Sequence, residues 1–429
     1  MIIYNPPELK ESILTAFDVL SFVDGTIEDI EFDVIRDGTQ DSDYDVILTA
    51  DSVIGLSMGE DTCPITTVKY FLIVSENWES AKINDSQSYA RNKYEVDFLL
   101  NITDYKTLML LEGLARSSNP ASGSVDQGIE LWKTKITIKG KDYHISVYNG
   151  FCLYHLKVKE SNNYDKYLPD YSEHDYFVRI TGDDIDQKVA DSLAVSFIFE
   201  LQATHNVLLS FSEGRPDFEE VYYEDEELTD HPFGIFPLLY GRGIKELLII
   251  YNKAKVTDDC DYRILSFTKV IEYISPTIAQ AKLYDQVRLK LSLPAVFVPT
   301  ADYVIELGEI FRKHQADIIR DSELIRVAIT TVVELEELWN ELPRFVKPAK
   351  QSRFADINEE MKATCMENIV AGVYDTRNEI AHAKANYVKK GKVCPLEEKR
   401  QFVKMLDGIA VRCIRWFDMQ SEEKRVILE

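Results

Sequence analysis

Alternating apolar and polar residues predict β-strands along the first half of the chain. The alternation is clearest over residues 133–139 and 142–148, and Gly140-Lys141 is expected to turn the chain between these two strands. Asn149-Gly150 favours positive φ at both positions and is expected to turn it again, into a third strand over 151–159. Further strands are expected over 30–35, 45–48, 68–74, 94–100, 176–180 and 207–211, and helices over 107–115 and 187–202.

From residue 244 onward, apolar residues recur at helical spacing. A helix is expected over 262–275, ended by Pro276, and others over 301–319, 322–342, 356–373 and 395–417. The apolar stripe of the first of these helices consists of Ile264, Phe267, Ile271 and Ile274, and that of the last consists of Phe402, Leu406, Ile409, Cys413 and Phe417. Such a succession is typical of an antiparallel helical bundle.

Turn-forming and acidic residues separate the two patterns and predict a linker. Gly214-Arg215-Pro216 breaks the strand pattern, a run rich in Asp and Glu follows over 219–230, and Gly241-Arg242-Gly243 precedes the first helix. We therefore expect an α+β chain in three parts. These are an acidic, β-rich mixed domain over 1–215, a linker over 216–243 and an all-α bundle over 244–429.

The charge is distributed very unevenly along the chain. The whole chain has a net charge of −25, but residues 241–429 hold 30 Lys and Arg against 29 Asp and Glu, which leaves −26 on residues 1–240. A strongly acidic surface repels phosphates. Any nucleic acid is therefore expected to bind the C-terminal half, and the acidic half suits a basic protein partner.

Cysteines, apolar runs and the N-terminus narrow the class of protein. The six cysteines include no CxxC pair and no His/Cys cluster with zinc spacing, so reduced thiols and no metal site or cofactor are expected. Apolar runs are too short for a membrane span, and residues 1–7 have no basic, apolar leader. These features favour a cytoplasmic protein without a membrane anchor.

Three other patterns are weak candidates for chemistry. Gly55-Leu56-Ser57-Met58-Gly59 matches the G-x-S-x-G elbow of hydrolases, but the residues after it are a poor helix, so a loop between strands is expected. The acidic residues 224–227 lack the turn glycine of a calcium loop and fit a solvated linker better. His144 and His155 are expected at half-exposed strand positions.

The strongest chemical signal is Arg377-Asn378-Glu379-Ile380-Ala381-His382. His is the side chain that exchanges protons near neutral pH, and Arg offers a permanent forked donor to phosphate oxygens. Asn378 and His382 are four residues apart and share a helix face, so Asn378 is a candidate to orient the imidazole or to hold a phosphate. Asp375 or Thr376 is a candidate to cap a helix start there. Taken alone, Arg-x4-His also fits two residues on a solvated face.

In this context the C-terminal part, residues 244–429, resembles the HEPN superfamily of helical-bundle nucleases with an Arg-x4-6-His motif. The resemblance implies a metal-independent endoribonuclease with Arg377, Asn378 and His382 as catalytic residues. It also implies a toxin or anti-phage abortive-infection effector that the N-terminal domain regulates or targets, with a protein as its trigger. Some family members have Tyr two positions after the His. Lys384 stands there in this chain.

The motif also predicts RNA as a partner and a dimer as the working form. Arg377 and His382 lie about 140° apart on an ideal helix, so a homodimer through the bundle is expected to complete the site, as the resemblance also implies. Lysines after the motif are expected to bind RNA, namely Lys384, Lys389, Lys390 and Lys392. The alternative is a non-catalytic dimerisation or interaction protein, in which Arg377 and His382 are structural and the acidic half binds a basic partner.

Overall fold

The structure is a computed structural model, and its C-terminal part is described more completely than its N-terminal part. The described residues are 2–4, 7–19, 46–48, 53–58, 61–67, 72, 82–84, 87–102, 104–118, 128–155, 175–212, 234–318, 320–348, 353–382 and 391–427. The chain divides into two compact units, Met1–Leu238 and Leu239–Glu429. The predicted linker falls mostly on residues 213–233, outside the described residues, and stays a prediction.

The first unit contains both helices and strands, and its largest element is an antiparallel sheet. Its strands are β1 (Ile2–Tyr4), β2 (Val46–Leu48), β3 (Val53–Met58), β4 (Asp61–Thr67), β5 (Lys82–Asn84), β6 (Gln87–Arg91), β7 (Glu95–Ile102), β8 (Ile129–Ile138), β9 (Lys141–Asn149), β10 (Tyr176–Gly182) and β11 (Leu209–Phe211). Within the described residues, the main sheet has the order β5-β6-β7-β10-β9-β8, and β11 pairs with β7. The helices are α1 (Glu8–Val19), α2 (Tyr105–Ser118) and α3 (Gln187–His205).

Most of the described N-terminal elements lie where the sequence predicts them. The strands expected over 45–48, 94–100, 176–180 and 207–211 correspond to β2, β7, β10 and β11, and the two expected helices correspond to α2 and α3. The expected strand over 30–35 lies outside the described residues. So does the one over 68–74 apart from Leu72, which is helical.

The third strand expected over 151–159 is wrong for its described part. Residues 153–155 are helical, and β10 takes the place beside β9, where Tyr176 pairs with Asn149. Gly150 has φ +146°, and a Cβ there would lie 2.6 Å from the Cα of Gly128. Glycine is therefore required at 150 because another backbone passes close to it, and not because it forms a hairpin turn.

One arginine joins three strands of the main sheet through buried charges. Arg179 on β10 is paired in register with Asp97 on β7, and its Nε donates to Asp97 Oδ1 at 2.8 Å. Its guanidinium also lies 3.2 Å from Glu95 Oε1 and stacks 3.3 Å from the ring centroid of Tyr148 on β9. Burial raises the pKa of Glu95 to about 8. Arg179 opposes that rise, and Asp97 adds to it.

His155 is buried, and its expected half-exposed strand position is wrong. Its Nδ1 accepts the backbone N–H of Cys152 at 3.1 Å, and its Nε2 lies 3.2 Å from Asp175 Oδ2. The Cys152 Sγ is 3.4 Å from the same Nδ1. Burial raises the pKa of this thiol well above its usual range, so it is not a thiolate nucleophile. The three side chains instead hold a turn against the start of β10. His144 is exposed on β9, as expected of a strand position.

The second unit is helical. Its helices are α4 (Ile244–Lys255), α5 (Cys260–Leu291), α6 (Ala301–Ile318), α7 (Asp321–Val332), α8 (Leu335–Leu338), α9 (Glu359–Ala381) and α10 (Lys399–Asp418). The two predicted apolar stripes, Ile264 to Ile274 and Phe402 to Phe417, are fully buried. A β-rich first unit and a helical second unit confirm the α+β class.

Two helix boundaries differ from those expected. Pro276 does not end the first long helix, because α5 continues to Leu291 with Ile274 and Ile278 buried on either side of the proline. Burial of these residues offsets the cost of about 3 kcal/mol for a proline inside a helix. The single helix expected over 322–342 is broken between α7 and α8, where Val333 adopts an extended conformation.

The Glu95→Gln variant is expected to lose a pH dependence of stability. The folded state binds the Glu95 proton more tightly than the unfolded chain, because burial raises the pKa from 4.5 to about 8. The contribution of Glu95 to the free energy of unfolding is therefore complete below about pH 4.5. It is lost as the pH rises through about 8, by at most ~1.4 kcal/mol per pH unit. Denaturant unfolding at several pH values across this window measures the slope. Glu11→Gln, which removes an exposed carboxylate from α1, is the control, and a variant at position 95 with the wild-type slope would contradict the assignment.

Candidate active site

The predicted motif occupies the C-terminal end of α9. The helix begins at Asn358, whose side chain accepts the backbone N–H of Met361 at 2.8 Å. Its buried face includes Ile369 and Val373. It ends at Ala381, and the N–H of His382 donates the last helical hydrogen bond to the Asn378 carbonyl at 3.0 Å. The motif therefore ends this helix and does not begin a new one.

His382 lies in solvent just beyond the last helical residue. Its side chain is exposed, and no hydrogen bond from a described residue reaches its imidazole. Because His382 has φ −116° and ψ 27°, it is no longer helical. The angle of about 140° for an ideal helix thus does not fix how its side chain is directed relative to Arg377.

Arg377 is held by two neighbours. Its Nε lies 3.1 Å from Glu272 Oε1 on α5, and its Nη1 donates to Asn378 Oδ1 at 2.9 Å. A guanidinium has five N–H donors, so these two contacts leave donors for an anion. The Asn378 amide oxygen is thus directed to the guanidinium.

Glu272 is the acidic member of this group. Burial raises its pKa, Arg377 opposes the rise, and Asp321 at the start of α7 adds to it. About a quarter of each side chain remains exposed, 26% for Arg377 and 29% for Glu272. The pair therefore lies at the edge of the helical core, and the Glu272 carboxylate offsets part of the charge of Arg377.

Asp375 and Thr376 tie the chain that follows the motif back onto α9. Asp375 Oδ2 accepts the N–H of Lys392 at 2.6 Å, and Thr376 Oγ1 accepts the N–H of Cys394 at 2.9 Å. Gly391, directly before Lys392, has φ +93°, and a Cβ there would collide with the Asp375 carboxylate. Neither Asp375 nor Thr376 caps a helix start, because both lie inside α9, so that expectation is wrong.

The predicted basic residues fall on the segment between these anchors. Lys384, Lys389 and Lys390 lie outside the described residues. Lys392 is half-buried and is anchored through its backbone. Residues 383–390 therefore connect His382 to Gly391, and these two residues lie beside the last turns of α9.

Sequence reasoning missed the acidic partner of Arg377. The spacing of Ile264, Phe267, Ile271 and Ile274 defines the buried face of α5, and Glu272 follows one of these positions directly. A carboxylate at the margin of a buried stripe is a signal that an arginine lies opposite. The sequence pattern did not indicate which arginine this is.

The weaker candidates do not form sites in the described part of the chain. Ser57 lies within β3, so the loop expected at this residue is wrong, and the next described element is the antiparallel strand β4 where a nucleophile elbow needs a helix. Cysteines 152, 260, 365, 394 and 413 are free thiols. No described group of three or more His, Cys, Asp or Glu residues has the geometry of a metal site. Among the described helices, none is long and apolar enough to span a bilayer.

In comparisons with known proteins, no family model, no curated protein and no solved structure matches the chain.

Arg377→Ala is expected to destabilise the second unit by about 1 kcal/mol, because Glu272 loses the charge that offsets its burial. Adding Glu272→Gln should recover most of this loss, since a neutral amide needs no cationic partner. Urea unfolding of the two single variants and the double variant measures this coupling.

Arg326→Ala provides a matched control for that comparison. Arg326 contacts Glu367 on α9, and both side chains are more exposed, at 36% and 54%. Its loss should change stability by less than about 0.5 kcal/mol. A double variant at 377 and 272 that is no more stable than Arg377→Ala would contradict the coupling.

Proposed function

We propose that the second unit is a metal-independent endoribonuclease of the HEPN type. The observation that carries the proposal is the exposed His382 one helical turn beyond the Arg377–Asn378 pair, at the end of α9. In this proposal the protein acts in the cytoplasm as a toxin or anti-phage abortive-infection effector. Its N-terminal unit responds to a protein trigger.

The chemistry assigns one task to each side chain. Cleavage requires the ribose 2′-OH to lose a proton, its oxygen to attack phosphorus, and the leaving 5′-oxygen to gain a proton. A neutral His382 imidazole takes the first proton, and an imidazolium donates the second. Arg377 stabilises the charge that builds on the phosphorane oxygens. The products are a 2′,3′-cyclic phosphate and a 5′-OH.

Glu272 makes Arg377 available in a defined orientation. The carboxylate lies 3.1 Å from the Nε edge of the guanidinium, and Asn378 accepts a hydrogen bond from Nη1, so the N–H groups away from these two neighbours are the ones that meet a phosphate. A preoriented donor loses less conformational entropy on binding than a mobile one. Glu272 thus acts as a positioning residue in this proposal.

Lysines near the motif supply the electrostatic attraction that RNA requires. Lys384 is two residues from His382, and Lys389 and Lys390 directly precede the anchored Gly391. The hydrogen bonds of Asp375 and Thr376 hold the far end of this segment beside α9. A local basic cluster concentrates phosphate even on a chain of net charge −25.

Acid and base come from two copies of His382 in the proposed working form. One imidazole cannot be both deprotonated and protonated during a single cleavage step. A two-fold homodimer through the bundle that brings two α9 ends together supplies both forms, with Arg377 from either chain.

A second candidate function is a non-catalytic interaction module. The ion pair between Arg377 and Glu272 favours this function, because a partly buried carboxylate is by itself a sufficient structural reason for an arginine at this position. In that case the acidic first half, with a net charge of −26, binds a basic partner.

RNA cleavage by the purified full chain separates the two functions. Wild type is expected to cut single-stranded RNA equally well with and without EDTA, and His382→Ala is expected to reduce the rate by about 100-fold or more. His144→Ala, which removes an exposed histidine from β9, is the control and should keep full activity. Equal cleavage by wild type and His382→Ala, or cleavage that EDTA abolishes, would contradict the proposal.

The Arg377→Ala, Glu272→Gln double variant tests whether Arg377 is more than structural. Because this variant is expected to be nearly as stable as wild type, its activity is not confounded by unfolding. The nuclease proposal predicts that it stays inactive while Glu272→Gln alone retains part of the activity. A double variant with wild-type cleavage would show that Arg377 only stabilises the fold.

A further inference from the structure

Helix α6 has an apolar face that is open to solvent. Val304, Ile305 and Phe311 are 58%, 52% and 44% exposed. The opposite face packs on α5, where the buried Tyr303 donates its hydroxyl hydrogen to the Lys290 carbonyl at 2.9 Å. Large apolar side chains grouped on one helix face mark a surface that another molecule covers.

Gly308 lies at the centre of this exposed face. Gly308 follows Val304 by four residues and precedes Phe311 by three, so these residues share one helix face. Ile305 lies beside that face. A Cβ at Gly308 would meet no atom within 4 Å. Glycine in the middle of an exposed helix costs about 1 kcal/mol relative to alanine, and no neighbour among the described residues requires it there. A second helix crossing at this point can approach more closely than it could over a larger residue.

The charges of α6 are arranged for antiparallel pairing with itself. Asp302 lies near the start of the helix and Arg312 near its end, and both are exposed. Among the described residues, neither has an ion-pair partner. In an antiparallel pair that crosses at Gly308, residues 302 and 312 of opposite chains lie on the same flank, about 3 Å apart along the axis. Each interface would therefore contain two opposite-charge pairs.

We propose that α6 is a self-docking surface through which two copies of this chain pair antiparallel about Gly308. In this register Val304 packs against the partner's Phe311, and Asp302 pairs with the partner's Arg312. The interface is isologous, so each contact occurs twice. The apolar centre supplies affinity, and the flanking charges set the antiparallel direction.

A second copy explains the face better than a lipid surface does. The hairpin tip between α5 and α6 also exposes apolar residues, with Phe297 at 86% and Val298 at 80%. However, α6 exposes charges of both signs, because Asp302 and Glu309 are exposed beside its apolar face together with Arg312 and Lys313. Anionic headgroups repel carboxylates, whereas an antiparallel copy pairs Asp302 with an arginine.

This pairing does not depend on the proposed nuclease activity. The motif lies at the end of α9, and none of its residues belongs to the proposed contact, which is made by α6 alone. Loss of the α6 contact is expected to change the oligomeric state, and a failure of RNA cleavage would leave the α6 proposal untouched.

A cysteine at position 308 tests the register of the pairing in the full-length chain. Gly308→Cys places two thiols at the two-fold axis, within reach of a disulfide, and mild oxidation should give a covalent dimer on non-reducing gels. Gln315→Cys is the matched control on the same face, because its two copies lie about 21 Å apart in this register. Wild type under the same oxidant controls for the native cysteines, of which Cys260 is partly exposed.

Charge reversal tests whether the partner is a second copy. Asp302→Arg and Arg312→Asp are each expected to weaken dimerisation about tenfold, measured by sedimentation or light scattering across concentrations. Combining them restores the two pairs with reversed signs and should recover the wild-type affinity. Retained helical circular dichroism confirms that the variants fold.

Several outcomes would overturn the proposal. These are a monomeric wild type, disulfide formation at 315 as readily as at 308, or a double reversal that is weaker than either single variant. A monomer that sediments with anionic vesicles would also overturn it and would assign the face to a lipid surface.

Discussion

The C-terminal unit depends on the burial of one face of α5 (Cys260–Leu291). This helix packs against α4, α6, α7, α9 and α10, so the bundle is assembled around it. Its buried side chains continue past Pro276, which has no N–H to donate to the Glu272 carbonyl. Packing on both sides of the proline keeps the helix continuous. The continuous helix in turn fixes where the Glu272 side chain meets α9.

The Arg377–Glu272 contact connects the core to the candidate site. Arg377 lies where a buried helix margin becomes solvent, so one edge of its guanidinium compensates a carboxylate and the other remains available. The same contact also gives Arg377 a structural role, because it offsets the charge of a partly buried carboxylate. The exposed His382 has no comparable structural explanation among the described residues, which is why it carries the nuclease proposal.

The sequence predicts what local spacing determines, and it fails where long-range packing decides. The stripes Ile264 to Ile274 and Phe402 to Phe417 predict buried helix faces correctly, because periodicity alone defines a face. Local preference fails at Pro276, where packing on both sides keeps the helix continuous, and at Gly150, where a neighbouring backbone passes close to the chain. The helix cap expected at Asp375 or Thr376 also fails because of long-range contacts. The side chains of these two residues bind the backbone of Lys392 and Cys394, which lie 17 and 18 residues away in the chain.

For the candidate site, the sequence predicts the chemical groups but not their neighbours. Arg377, Asn378 and His382 fall at one helix end, as their spacing implies. The Glu272 partner comes from a helix more than a hundred residues earlier. No local pattern indicates that the Glu272 carboxylate lies beside the Nε edge of Arg377.

The chemical state of the new RNA ends tests the central claim most directly. RNA cut by the wild-type chain in the presence of EDTA can be analysed by mass spectrometry and by its susceptibility to end-specific enzymes. Attack by the ribose 2′-oxygen, with Arg377 and His382 as the only catalytic groups, predicts a 2′,3′-cyclic phosphate and a 5′-OH at every cut. Ends with a 3′-OH and a 5′-phosphate would require water as the nucleophile and would contradict this account.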